Sequence, residues 1–149
     1  MKKTNSQKIE NKLKIEIKTI PHKKQRYPTV GDYWEEKDGT IQFRVSEFGD
    51  IYMQVAIILH ELIEYFLVRK KGIKVKDIDK FDIEYEKARS ENKKFAPCGC
   101  KIKEEPGNDI HAPYYREHQF ATKIEKVFIK ELGYSWKEYN KEIDKLFEE

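Results

Sequence analysis

Leu13, Ile15 and Ile17 alternate with Lys14, Glu16 and Lys18, the two-residue period of a half-buried strand. Pro21 ends that pattern. Two further runs, 32–36 and 40–45, flank Lys37-Asp38-Gly39, and Asp-Gly is a hairpin turn signal. Ile41, Phe43 and Val45 share one face of the second run. The pattern predicts three antiparallel strands.

The periodicity changes after Gly49-Asp50, where Asp50 suits an N-cap and Gly72, behind Arg69-Lys70-Lys71, suits a C-terminal stop. Residues 55–67 are apolar on nearly every side of a helix, so this element is predicted to be central and buried. A second helix is expected from Asp77, with Ile78, Phe81, Tyr85 and Ala88 inward. Residues 91–112 read as a long loop, and loops of that length in compact domains are commonly functional. A third helix starts near Pro113 and carries Phe120, Ala121, Ile124, Phe128 and Leu132 up to Gly133. Ser135 with Glu138 forms a capping box for a last helix through Tyr139, Ile143, Leu146 and Phe147. The expected fold is α+β, a small three-stranded antiparallel sheet packed with about four helices.

With 149 residues the chain suits one domain, read as a disordered basic arm at 1–12 and a single domain at 13–149. Charged and hydrophobic residues each make up 38%, so the apolar side chains must be concentrated in a few segments. The net charge of +3 divides unevenly: residues 1–26 hold nine Lys/Arg against two Glu, and the remainder is mildly acidic. Such an arm can meet nucleic acid or an acidic partner, although a solvated lysine-rich tail has the same composition. No apolar segment follows the charged start as in a signal peptide. The stretch 55–67 is too short and too polar to span a bilayer. Cys98-Gly-Cys100 has poor spacing for a disulfide; the pair could grip a soft metal, but structural zinc needs four ligands and no second cysteine pair exists. A cytoplasmic protein with no membrane contact is the expectation.

The central helix also carries chemistry. In Leu59-His60-Glu61-Leu62-Ile63-Glu64, His60 and Glu64 lie about 40° apart, with Glu61 inside a sector of about 100°. Burying three ionisable groups without a partner costs several kcal/mol each. A divalent cation would satisfy all three. An imidazole and a carboxylate four residues apart can chelate one ion, while Glu61 stands free to take a proton from water. The alternative is a core histidine satisfied by protein groups, with both glutamates paired to neighbouring Lys or Arg.

This His-Glu-x-x-Glu helix resembles the His-Glu-x-x-His helix of zincin-like metallopeptidases, particularly small proteins of phage or prophage origin, with Glu64 in place of the second histidine. The resemblance implies a zincin-like fold, a peptidase-like metal-dependent hydrolase and Glu61 as its catalytic base. The metal would be zinc. Glu64 makes the site richer in oxygen, which weakens the Lewis acid and admits Mn or Fe more readily.

A third ligand is required. His118 is favoured, because the third helix must pack on the core. The adjacent Glu117, which points nearer the middle of that apolar stripe, is an alternative ligand or a support behind one. His111, in the long loop, and His22 are weaker candidates. Asp82, beside the apolar stripe of the second helix, is either a solvated flank or an acid that orients a ligating histidine. Two functions follow. The first is hydrolysis of a peptide or protein substrate by His60, Glu64, His118 and Glu61. The second is a non-catalytic zincin-shaped binding or structural protein, with a structural metal or none, touching nucleic acid or a protein through its basic arm.

Overall fold

The structure, a computed structural model, describes residues 12–102 and 104–148. Most of the basic arm expected at 1–12 therefore lies outside the described residues.

Strands β1 (Ile15–Ile20), β2 (Gly31–Glu35) and β3 (Ile41–Ser46) form one sheet in the order β1-β3-β2. The hairpin is as expected: β2 and β3 pair antiparallel, Tyr33 opposite Phe43, and Gly39 takes the left-handed turn position at φ +89°. The all-antiparallel sheet is corrected, because β1 runs parallel to β3 and the sheet is mixed. The connection 21–30 is long enough to step over one strand position, about 4.8 Å wide, and place β2 on the far side. The hairpin then returns β3 into the gap. Gln25 pins this connection by donating to the carbonyls of Val30 and Arg44, and His22 Nδ1 meets Ser46 Oγ at 2.8 Å.

The strand order follows burial. Five of the six residues of β3 are buried, as suits a central strand. β1 is an edge, and its expected half-burial is not met: Leu13, Ile15 and Ile17 are all exposed. The first helix packs across β2 and β3 and leaves that face of β1 open.

Among the described residues four α-helices complete the α+β fold: α1 (Ile51–Lys70), α2 (Val75–Ser90), α3 (Tyr115–Glu131) and α4 (Trp136–Lys145). Asp50 caps α1 by accepting the Met53 N–H at 3.0 Å. Ser135 and Glu138 complete the capping box of α4. α2 begins two residues before the expected Asp77. Phe120 of α3, expected inward, is exposed, and Glu117, His118, Ala121, Glu125 and Ile129 form the buried face instead.

At 20 residues α1 is longer than the apolar stretch 55–67, and by length and composition it could cross a membrane. In this fold it serves as the core helix, packed against α3, β2 and β3. Its buried face changes character along its length. Met53, Ala56 and Ile57 join one apolar cluster with Val45, Ile129 and Tyr139. Tyr65 and Val68 join another with Tyr33, Phe43 and Tyr114. His60, Glu61 and Glu64 fall between them, all buried. α3 passes the same two clusters in the opposite order, Tyr114 first and Ile129 last. Its polar residues therefore meet those of α1 in one layer.

Candidate metal centre

One turn of α1 places His60 and Glu64 on the same side, and the first turn of α3 brings His118 against them. His60 Nε2 lies 3.0 Å from Glu64 Oε2 and 3.1 Å from His118 Nδ1. His118 Nδ1 lies 2.8 Å from the same Glu64 oxygen. Three potential ligand atoms thus form a triangle on side chains that are all largely buried. His118, favoured on sequence, is the third member.

The outer sides of both imidazoles are held by carboxylates. His60 Nδ1 is 2.7 Å from Glu125 Oε1, and His118 Nε2 is 3.0 Å from Glu105 Oε1. Each outer ring nitrogen carries a proton when it donates to its carboxylate. The inner nitrogens, His60 Nε2 and His118 Nδ1, then present lone pairs to each other and to Glu64. Three acceptors this close require protons or a cation among them. Carboxylates behind ligating histidines fix the ring and raise its basicity, the usual support of a metal site. Tyrosines in turn hold the carboxylates: Tyr33 donates to Glu64 Oε1 at 2.8 Å and Tyr139 to Glu125 Oε2 at 2.5 Å.

The donor set fits a small divalent ion. Ligands held about 2.0–2.1 Å from zinc in a tetrahedral array stand about 3.3–3.4 Å apart. The triangle needs to open by only roughly 0.3–0.5 Å to match that spacing.

Protonation reflects the same crowding. Burial opposes charge on His118, but hydrogen bonds to Glu105 and Glu64 lift it to about 10. Burial also opposes charge on Glu64, and the two imidazoles overcome it, holding this carboxylate at about 2. Glu61 behaves differently. Burial, reinforced by the charge of Glu64, pushes it well above the usual carboxylate range. No hydrogen bond to its side chain is found among the described residues.

Glu61 faces Gly31 of β2 so closely that a Cβ there would meet its Cδ at 2.6 Å. A cleft of about 790 Å³ opens here, with Gly31, Glu61, His60, Glu64 and His118 among its walls. Gly107, in the loop before α3, lies against His118, and a Cβ on it would meet the ring at 2.6 Å.

The other candidates go elsewhere. Glu117 is buried but turns to Lys71, with Nζ 3.6 Å from its Oε2, and among the described residues that oxygen accepts no hydrogen bond. His22 bonds Ser46 on the sheet. His111 joins Cys100 and Asp109 in the loop. Asp82 is neither a solvated flank nor a partner of a histidine. It is buried, accepts from Tyr114 at 2.6 Å and Tyr27 at 3.3 Å, and is pushed by burial to about 8. Cys98 and Cys100, expected to remain apart, are joined as a disulfide.

Sequence reasoning missed Glu125 and Glu105. Glu125 had a signal, since an acid within the inward stripe of α3 poses the same burial problem as Glu117. Glu105 had none, because only the loop's path brings it to His118.

Comparison with family models, with curated proteins and with solved structures finds no match.

Proposed function

We propose that this chain is a zincin-like, metal-dependent hydrolase acting on a peptide or protein substrate. The observation that carries the reading is the convergence of His60 Nε2, Glu64 Oε2 and His118 Nδ1, with each imidazole backed by a carboxylate. His60, Glu64 and His118 would hold zinc, with Mn or Fe also admitted by the carboxylate ligand. The bound ion supplies Lewis acidity toward a carbonyl and toward water.

The chain's own residues supply the rest. Glu61 follows His60 on the same helix, lines the cleft and has no hydrogen-bond partner among the described residues, which frees it to accept a proton from an attacking water. From the same position it can return that proton to a leaving amine. β2 is an edge of the sheet, and its residues Gly31 to Tyr33 border the cleft. An extended peptide added along that edge would run past Glu61. Gly31 lacks the side chain that would displace the Glu61 carboxylate.

The test is hydrolysis of a mixed peptide or denatured-protein substrate by zinc-loaded protein, compared with Glu61→Gln. Activity lost in Glu61→Gln with zinc content unchanged is the expected result. Equal zinc in both forms and no hydrolysis by either would overturn the enzymatic reading in favour of a zincin-shaped structural or binding protein.

A further inference from the structure

The loop joining α2 to α3 contains a second group of ligand-type side chains. Cys98, Cys100, Asp109 and His111 bring their ligand atoms within 4.8 Å of one another. His111 Nδ1 lies 3.0 Å from Cys100 Sγ and 3.2 Å from Asp109 Oδ1. The arrangement has a local cause. Phe95 and Lys101 bridge as a short antiparallel pair, Ala96 and Cys100 share a backbone hydrogen bond, and Gly99 turns the chain at φ +81°. The two cysteines therefore sit at the tip of a tight turn. Asp109 faces them with its side chain only 6% exposed, while His111 supplies the imidazole from the surface.

We propose that these four side chains form a second, structural metal site for a zinc-type cation. Two thiolates, an imidazole and a carboxylate make a complete four-ligand set, and soft sulfur ligands select zinc over magnesium or calcium. The contrast with the first site is chemical. His60, Glu64 and His118 offer three protein ligands and an open position, whereas this set is closed.

The linkage has a mechanical consequence. A bond between Cys98 and Cys100 closes a ring with a single residue inside it and restrains little chain. A metal linking Cys98 and Cys100 to Asp109 and His111 closes the intervening loop, which carries Glu105 and Gly107 to His118. Only this consequence touches the hydrolase reading, because the second site stands on its own ligands.

The disulfide is the oxidised state of the same site. A thiol or phosphine reductant delivers two electrons to the sulfur–sulfur bond and is itself oxidised, and two protons complete the cysteine thiols. Binding of the divalent cation then displaces those two protons as both sulfurs become thiolate ligands.

Cobalt(II) titration of the phosphine-reduced full chain tests the proposal. The expected result is a thiolate-to-cobalt charge-transfer band in the near ultraviolet that zinc abolishes, present in His60→Ala and lost in the Cys98→Ser/Cys100→Ser double variant. No such band in the wild-type chain, or its survival in the double variant, overturns the proposal. His60→Ala removes no thiolate, so failure of this site and failure of the hydrolase reading give different results. A second measurement needs no variant: in the reduced wild-type chain, freed of excess reductant, alkylation of both cysteines by iodoacetamide should slow roughly tenfold or more when zinc is added. Equal rates with and without zinc would count against the site.

Discussion

His60 Nε2 and His118 Nδ1 stand 3.1 Å apart although 58 positions separate them in the chain. Each ring is anchored on its far side by a glutamate: Glu125 behind His60 is buried, whereas the Glu105 side chain behind His118 is 56% exposed. Glu64 completes the triangle.

His118→Ala should bind zinc far more weakly than wild type, while Glu117→Gln should bind it unchanged. Glu117 pairs with Lys71 and takes no part in the triangle. Zinc content after dialysis against a weak chelator distinguishes them, and equal losses in the two variants would refute the ligand assignment.

Glu125→Gln should lower zinc affinity by about 10–100-fold without removing a ligand, because it weakens the carboxylate that orients His60. Tyr139→Phe acts one step further out. It removes the donor to Glu125 Oε2 and should cost about 1–3 kcal/mol of stability through the unsatisfied buried oxygen. Competition titration with a zinc indicator reads the first effect, and urea unfolding reads the second.

Gly107→Ala should weaken zinc binding, whereas Gly31→Ala should reduce hydrolysis with zinc binding intact. The added methyl meets the His118 ring in one case and the Glu61 carboxylate in the other. Measuring zinc affinity and turnover on both variants tests the pair, and a reversed pattern would show that ligand and base are misassigned.

Asp82 makes stability depend on pH. Burial raises its folded pKa to about 8, above the ordinary value near 3.8, so the folded state holds this proton more tightly than the unfolded chain. Its contribution is fully present below the unfolded pKa and is lost as pH rises through about 8. With chelator present, wild type should lose stability relative to Asp82→Asn between roughly pH 4 and 8. Parallel unfolding midpoints across that range would show that Asp82 does not titrate this way.

Much of the local structure was legible in the chain itself. The Lys37-Asp38-Gly39 turn, the Asp50 cap, the Ser135 and Glu138 capping box and the buried character of α1 all depend on neighbours within a few residues. His60, Glu61 and Glu64 were found for the same reason, since three ionisable groups on one face of an apolar helix are visible from periodicity alone.

Relations between distant segments were decided by the tertiary structure. Alternation fits a parallel or an antiparallel neighbour equally well, so the pairing of β1 with β3 rested on where the connection 21–30 could carry the chain. Periodicity also could not choose between Glu117 and His118, which differ by one residue, or about 100° of helix rotation. The antiparallel docking of α3 on α1 turned His118 toward His60 and left Glu117 to Lys71. The sequence by itself determined that a polar layer had to exist within the apolar helix, because burial of those groups demands partners. Only the packing of α3 and the loop before it could supply Glu125, Glu105 and the lone pair of His118.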